Sequence, residues 1–333
     1  MGQAPAQPGA VGPALAEPNP GLESAPGDGQ WILGADFLYV RSHFSQATAF
    51  AAGTQTASSY HIAAEPLDLQ YTPSFRVFAG YRFDGSDTEL RFTYTRITAD
   101  TQSDAGNFSA GHFAVDPFGN VVGTVVVVDP SSAEFGHAIV SGDHIQATAD
   151  MTVNVYDLDL LKPLMCVCGG WQLKYSLGVR VAQVDQSYES NILKSGAFFS
   201  GGEYSSDFTG AGPRIGLQAE KLFGSCRQFS VFANTAGSLI VGDYNSHFSQ
   251  TTTAPAFQAT QDTEIIRLLP VAEAEIGAGW SPLPCCNISA GWLFQAWFDL
   301  GASGGTFGGF YTVTENSNLL AFEGLFARVE LSF

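Results

Sequence analysis

Apolar and polar residues alternate in ten long segments of the chain. Alternation with a period of two, bounded by turn-forming residues, is typical of β-strands that have one apolar face. Between Trp171 and Val181, for example, every odd-numbered residue is apolar, whereas the even-numbered residues include Lys174 and Arg180. The segments are residues 31–42, 74–83, 88–99, 150–163, 170–187, 206–222, 228–243, 265–281, 286–300 and 319–333.

The connections between these segments are alternately short and long. The short ones are residues 84–87, 164–169, 223–227 and 282–285, and the long ones are 43–73, 100–149, 188–205, 244–264 and 301–318. Transmembrane barrels have an even number of strands, with short turns at one end and long loops at the other. The strands also exceed the five or six residues that are usual in a soluble sandwich. The pattern therefore predicts an all-β fold, a transmembrane up-and-down antiparallel β-barrel of about ten strands over residues 31–333.

An alternative count of twelve strands comes from the loop 100–149. Residues 121–128 and 113–115 flank a turn at 117–120 and are able to form a hairpin. We expect this hairpin to lie above the membrane or in the mouth of the barrel. If it enters the wall, the barrel has twelve strands.

Composition excludes several other classes of protein. Charged residues make up only 14% of the chain, against roughly 25% in an ordinary soluble domain, and the net charge is −18. Nucleic-acid binding requires a basic face, so no nucleic acid is expected as a partner. No apolar stretch approaches the roughly 18 residues of a transmembrane helix. These properties favour an outer-membrane barrel surrounded by outer-membrane lipid.

Charged residues lie on the polar faces of the strands, and a charge facing lipid at the bilayer centre costs several kcal/mol. We therefore expect these faces to line the lumen, where their mixed signs predict ion pairs between strands. Such a network either packs and stiffens the lumen or lines a conducting pathway. Asp36, Glu89 and Glu220 share these faces. The expected lumen-lining residues are Arg76, Arg82, Arg91, Asp157, Asp159, Lys174, Arg180, Arg214, Glu273, Glu275, Asp299, Arg328 and Glu330.

Segment 150–163 departs from simple alternation. Met151, Val153 and Val155 fall on the same face as Asp157 and Asp159. A β-bulge, which shifts the side-chain faces by one residue, is the explanation that we expect.

The long loops are acidic, since loops 43–73 and 100–149 contain carboxylates but neither Lys nor Arg. A mouth of this kind favours cations over anions. The alternative is that the acidic residues only keep the exposed loops soluble.

All six histidines fall in long loops, and no metal site or cofactor is expected. Outer-membrane proteases with ten strands place Asp and His at the rim, and His43 with Asp100 or Asp243 is the nearest imitation. Because no paired catalytic motif is present, the chain is not expected to be an enzyme.

All five cysteines lie in or beside three short turns at one end of the predicted barrel. They are Cys166, Cys168, Cys226, Cys285 and Cys286. Their spacing lacks the pattern of zinc sites, so disulfides between neighbouring turns are expected in an oxidising periplasm. We predict at most two bridges, one of which joins Cys226 to a flanking turn.

The two ends of the chain differ in character. Residues 1–30 are rich in Pro, Gly and Ala and predict a disordered tail with polyproline II character. The chain ends in Phe333, at the close of an alternating strand. A terminal Phe in this position predicts recognition by the barrel assembly machinery.

Two motifs resemble a known family. The segment FTGAGPRIG (208–216) is followed by FANTAGSLIVG (232–242), and the first predicted strand opens with WILGADFLY (31–39). Together they resemble the Legionella major outer membrane protein-like family of pore-forming outer-membrane barrels, over about residues 31–333. The resemblance implies a porin-like protein without catalytic residues.

The expected function is accordingly a small passive pore for solutes or ions, with a preference for cations. The alternative is a structural or adhesive barrel with a plugged lumen, whose long loops bind partners. Ten strands lie between the filled eight-stranded barrel and the open sixteen-stranded porin, so width does not decide between them.

Overall fold

Fifteen β-strands make up the described part of the chain. The computed structural model describes residues 29–44, 48–56, 59–66, 69–85, 88–105, 114–115, 121–127, 137–139, 144–167, 170–194, 196–224, 228–253, 256–300 and 319–333. The predicted tail, apart from its last two residues, lies outside these ranges. The strands are β1 (Gln30–Phe44), β2 (Thr48–Thr56), β3 (Ser59–Pro66), β4 (Tyr71–Arg82), β5 (Glu89–Ala105), β6 (Ala114–Val115), β7 (Val121–Val127), β8 (His137–Ile139), β9 (His144–Val167), β10 (Trp171–Lys194), β11 (Ala197–Phe223), β12 (Phe229–Thr253), β13 (Ala256–Leu283), β14 (Cys286–Phe298) and β15 (Leu319–Ser332).

Ten of these strands close into an antiparallel barrel in the order β1-β15-β14-β13-β12-β11-β10-β9-β5-β4, and β4 pairs with β1. The other strands, β2, β3, β6, β7 and β8, form a separate five-stranded sheet. The predicted hairpin at 113–128 contributes β6 and β7 to this sheet. The ten-stranded barrel is therefore confirmed, and the twelve-stranded alternative is wrong because β7 pairs with β2 and β8 instead of with the wall.

The two ends of the barrel differ. One end, which we call the turn rim, carries the short connections that follow β4, β9, β11 and β13. The first and last barrel strands also meet there: Trp31 N donates to Phe333 O at 2.8 Å, and Phe333 N donates to Trp31 O at 3.0 Å. The opposite end, the loop rim, carries the remaining connections. The terminal Phe333 thus helps to close the wall at the turn rim.

Large apolar side chains cover the outer surface. On β10, the outward-facing residues from Trp171 to Val181 are apolar, and Leu177 and Val179 are 54% and 55% exposed. This stretch is about 33 Å long along the strand, which a tilt of about 40° converts into a height of about 25 Å. An exposed apolar band of this height matches the lipid-facing surface of a membrane barrel. Beyond it, outward residues become polar, beginning with Gln183 and Asp185.

The barrel strands extend to different heights at the loop rim. Strand β13 pairs with β12 out to Ala256 but with β14 only to Val271. We call the loop-rim parts of β5 and β9–β13 the tall wall, and β14, β15, β1 and β4 the low wall. The predicted long loops 188–205 and 244–264 are wrong, because β10 and β11 stay paired up to Lys194 and Ala197, and β12 and β13 stay paired up to Thr253 and Ala256. Gly196, with φ of 80°, lies between β10 and β11 and adopts a conformation that favours glycine.

Polar residues on both faces explain why those extensions were not recognised as strands. Above the membrane neither face must meet lipid, so the apolar alternation fades while the hydrogen-bonded ladder continues. In the part of the chain that the structure describes, no helix is long and apolar enough to cross a membrane.

Strand β9 contains no bulge within 150–163, which corrects the expectation for that segment. Its register with β5 and β10 is continuous there. Val153, Val155, Asp157 and Asp159 all face the lumen and are all buried. The apolar residues share a face with the acidic ones because the lumen is lined by charged side chains near its middle and by apolar side chains toward the loop rim.

Candidate functional site: the barrel lumen

The middle of the lumen holds buried ion pairs between neighbouring strands. Asp36 of β1 lies opposite Arg76 of β4 and Arg328 of β15 in the strand register. Arg328 Nε and Arg76 Nη1 lie 2.8 and 3.3 Å from the two carboxylate oxygens of Asp36. Glu275 of β13 completes a ring, since it contacts Arg76 and accepts from Arg328 Nη2 at 3.2 Å. Two guanidinium groups and two carboxylates therefore neutralise one another.

A second group of ion pairs lies beside the first. Arg180 of β10 binds Asp157 through two parallel hydrogen bonds of 2.7 Å, and its Nη1 lies 2.6 Å from Glu273 Oε1. Arg214 of β11 donates to Asp159 at 2.6 Å and to Glu273 at 2.7 Å. Bidentate, charge-assisted bonds of this kind are among the strongest that proteins make. We call the nine residues of the two groups the central network.

Nearer the turn rim, the charges surround a second carboxylate. Glu89 of β5 is 2% exposed, accepts from Arg91 Nε at 2.6 Å and lies 3.3 Å from Arg82 Nη2. Arg91 also approaches Glu330 of β15 at 3.8 Å. Lys174 of β10 faces the same space. We call this turn-rim part of the lumen the vestibule.

Toward the loop rim, the lumen is apolar. A cluster of side chains that are at most 3% exposed fills it, with contributions from nine of the ten barrel strands. We call this cluster the apolar plug. Its members on the barrel strands are Leu38, Val40, Ile97, Val153, Val155, Ala182, Val184, Phe208, Ile240, Tyr244, Leu269, Val271, Leu293, Trp297, Leu320, Phe322 and Phe326.

The boundary between network and plug falls at one level of the barrel. The lumen-facing residue that follows Asp36 on β1 is Leu38, and the one that follows Arg180 on β10 is Ala182. On β13, Val271 precedes Glu273 in the same way. Each of these strands changes from charged to apolar within one step of two residues, so the plug lies directly on the network.

Twelve of the thirteen residues predicted to line the lumen do so. Nine of them line a cavity of about 90 Å³ within the central network, and the vestibule contains a second cavity of about 120 Å³. The twelve are Arg76, Arg82, Arg91, Asp157, Asp159, Lys174, Arg180, Arg214, Glu273, Glu275, Arg328 and Glu330.

Asp299 is the exception. Strand β14 ends at Phe298, and Asp299 has a φ of 61° and is exposed. Its backbone carbonyl accepts a hydrogen bond from Arg267 Nη1 at 3.1 Å. Because the chain leaves the strand conformation at this residue, the alternation that predicted a lumen position no longer applies.

Sequence reasoning did not select two amides that complete the network. Gln295 Nε2 donates to Glu273 Oε1 at 2.6 Å, and Asn234 Nδ2 donates to Glu275 Oε2 at 3.2 Å. It also missed the plug, although Leu293, Trp297 and Phe326 fall on faces that are otherwise polar. That irregularity was the available signal.

The cysteine-bearing turns follow one another along the turn rim, as the order of the strands requires. Cys285 is exposed, Cys286 is half-buried, and neither forms a disulfide. The side chain of Cys166, and Cys168 and Cys226 entirely, lie outside the described residues. The bridge from Cys226 to a flanking turn therefore stays a prediction.

The three residues considered for a protease-like site, His43, Asp100 and Asp243, do not lie close together. His43 Nε2 lies 2.8 Å from Glu323 Oε1 on the exposed outer face of the low wall. Asp100 and Asp243 are exposed on the outer faces of β5 and β12, and β12 is four strands away from β1 in the barrel order. No catalytic pair forms from these three residues.

Chemically, the central network offers paired charges and no reactive group. Among the residues that the structure describes, no group of His, Cys, Asp and Glu side chains is arranged to hold a metal ion. Above the plug, Tyr204 shares a hydrogen bond with Tyr244, and burial followed by this neighbour raises the pKa of Tyr204 well above its usual value. Tyr204 therefore stays protonated at neutral pH.

Comparison with solved structures gives similar barrels at low identity. The outer membrane protease OmpT of Escherichia coli is 10% identical, with 94% of this chain and 99% of that chain covered and a TM-score of 0.46. Neisserial surface protein A is 11% identical, with 92% and 100% covered and a TM-score of 0.28. The toluene transporter TodX of Pseudomonas putida is 8% identical, with 92% and 90% covered and a TM-score of 0.25. No curated protein sequence matches the chain.

Comparison with protein families gives a match over most of the chain. The family model described as Legionella pneumophila major outer membrane protein precursor matches residues 25–333, which include the whole barrel. The exposed apolar band and the closed ten-stranded wall agree with a location in the outer membrane. The chain is thus an outer-membrane β-barrel that belongs to the Legionella major outer membrane protein family.

Proposed function

We propose that this protein is a structural outer-membrane barrel whose lumen is closed to solutes and whose tall wall is presented at the cell surface. The observation that carries the proposal is the apolar plug, which lies directly on the central network. The ion pair between Arg76 of β4 and Glu275 of β13 joins strands that are four positions apart in the barrel, and the side chains of the plug are at most 3% exposed. A solute would therefore have to displace these side chains. Short turns face the periplasm in outer-membrane barrels, which places the tall wall outside the cell.

The energetics of both layers oppose spontaneous opening. Parting a buried ion pair leaves uncompensated charge in a poorly solvated place, which costs about 3–5 kcal/mol for each pair broken. Separating the plug exposes apolar surface to water at about 25 cal/mol per Å². The plug is the more tightly closed of the two layers, because its side chains are at most 3% exposed whereas the central network encloses a cavity of about 90 Å³.

A small passive pore is the second candidate, and the polar turn-side half of the lumen favours it. Two cavities of about 90 and 120 Å³ occupy that half, and a displaced plug would join them to the outside.

Below the plug the described lumen is close to electrical neutrality. Its cations are Arg76, Arg82, Arg91, Lys174, Arg180, Arg214 and Arg328, and its acids are Asp36, Glu89, Asp157, Asp159, Glu220, Glu273, Glu275 and Glu330. Seven cations against eight acids give little selectivity, so a preference for cations would depend on the acidic outer loops.

We do not assign an enzymatic activity. The lumen carries arginine–carboxylate pairs, whose charges are already neutralised, and His43 lies on the outer face. Catalysis by general acid and base needs a proton-transferring group within reach of a substrate. The described lumen does not combine these features.

Solute uptake into vesicles tests the closed lumen. Protein folded into liposomes should give no swelling in isotonic arabinose, whereas a double variant Leu269→Ala/Trp297→Ala, which removes the centre of the plug, should give measurable swelling. Leu268→Ala is the matched control, because Leu268 is the next residue of β13 and faces outward with 54% exposure. Swelling by the unmodified protein at the rate of the double variant would favour the pore instead.

A further inference from the structure

The vestibule contains a cationic group that its surroundings leave without a partner. Lys174 of β10 lines the cavity of about 120 Å³ and forms no hydrogen bond or ion pair with any other residue in the described ranges. A cavity of this size is several times larger than the roughly 10–15 Å³ that one water molecule needs. It therefore has room for a small ion together with water.

The acids nearest in the fold, Glu89 and Glu220, act on Lys174 through space without forming an ion pair with it. Glu89 is buried and already holds Arg91 and Arg82. Glu220 of β11 lies opposite Gln172, whereas Lys174 lies opposite Gln218, so these two charges are diagonal neighbours. A diagonal position separates their Cα atoms by about 7–8 Å.

The lining of the cavity is rich in N–H donors. Its cations are Arg82, Arg91, Lys174 and Arg328, of which Arg328 already binds Asp36 and Glu275, and its acids are Glu220 and Glu330. The polar uncharged residues that complete it are Gln172, Gln218, Ser230, Asn234, Asn287 and Ser289. Guanidinium, ammonium and amide N–H groups are the donors that bind phosphate and carboxylate oxygens.

We propose that the vestibule is a binding site for a small oxyanion, held between Lys174 and Arg82. Lys174 supplies the ammonium that has no ion-pair partner among the described residues. Arg82, whose side chain is 32% exposed, supplies the N–H groups that Glu89 and Gln30 do not use. The vestibule is the part of the lumen nearest the turn rim, and we expect this rim to face the periplasm. Its ligand is therefore a soluble periplasmic anion, and the site exists whether the lumen above it is closed or conducts.

The probe is inorganic phosphate, titrated calorimetrically into protein folded in a zwitterionic detergent at low salt. We expect saturable binding that weakens as NaCl rises, because partly exposed charges are screened. Lys174→Gln should weaken binding at least about tenfold. Glu220→Gln should strengthen it, since it removes the competing carboxylate.

The matched control is Lys162→Gln, which removes an exposed Lys from the outer face of β9 near the same rim. It should leave the affinity unchanged, and heat-sensitive migration on gels checks that every variant is folded. Acetate titrated in parallel distinguishes a phosphate site from one for oxyanions in general. The proposal is overturned if neither anion binds, or if Lys162→Gln weakens binding as much as Lys174→Gln does.

Discussion

The two halves of the lumen solve the same packing problem in opposite ways. The central network fills its part of the barrel with charged side chains, and Arg180 is only 2% exposed among Asp157, Glu273 and their neighbours. The apolar plug fills the next layer with residues such as Leu269 and Phe322, which are fully buried. Both layers lie within one closed wall and use the same strands.

This difference shows that the interior of a small barrel need not be uniformly polar. A charged layer requires a partner for each charge, which fixes the relative positions of several strands through directional bonds. An apolar layer requires only shape and volume, and it excludes water from the bonds beneath it, which strengthens them. We infer that the plug stabilises the network in addition to blocking the lumen.

The largest effect is expected from Arg180→Ala. Removal of this guanidinium leaves the buried Asp157 without its bidentate partner and leaves Arg214 as the remaining cation on Glu273. This loss should lower the free energy of unfolding by about 3–5 kcal/mol. Urea-induced unfolding in detergent, followed by tryptophan fluorescence, measures it. The control is Arg96→Ala, since Arg96 is exposed on the outer face of β5. Equal losses for both variants would contradict the distinction between network and surface.

A somewhat smaller effect is expected from Leu269→Ala in the plug. The side chain is fully buried, and a Leu-to-Ala cavity costs about 2–5 kcal/mol, depending on how far the neighbours relax. Leu268→Ala removes the same atoms from the outward face of the same strand. The comparison of the two unfolding curves isolates the contribution of the lumen. If Leu268→Ala is the more damaging change, the plug is not a packed core.

The smallest effect is expected from Glu323→Gln, which removes an ion pair from the outer face. The side chains of His43 and Glu323 are 46% and 37% exposed, and pairs of this kind contribute at most about 1 kcal/mol. The stability of this variant should stay close to that of the unmodified protein in the same urea titration. A loss comparable to that of Arg180→Ala would show that burial does not separate the two kinds of ion pair.

The barrel itself was predictable from the sequence because lipid imposes a strict rule on outward-facing residues. Every second residue of β10 from Trp171 to Val181 obeys it, and twelve of the thirteen selected lumen residues followed from the opposite face. The rule ends where lipid ends. The extensions of β10–β13 above the membrane carry polar residues on both faces, so the apolar alternation is lost and gave no reason to continue those strands.

The closed state of the lumen was less accessible to sequence reasoning. Alternation assigns a residue to the inside or the outside but says nothing about its height along the barrel axis. Val153 and Val155 looked like an error of register, whereas they form one layer with Leu38 and Leu269 from distant parts of the chain. That layer emerges only when the register between all ten strands is known.

Electrical conductance across a planar bilayer tests the central claim, that the apolar plug closes the lumen. The protein should be refolded in detergent, shown to be folded by its heat-sensitive migration on gels, and inserted into a membrane of defined lipid in 1 M KCl. The closed barrel predicts insertion without steady ohmic current above the leak of the bilayer, while the double variant Leu269→Ala/Trp297→Ala conducts. A stable, stepwise conductance from the unmodified protein would contradict the account and establish the pore.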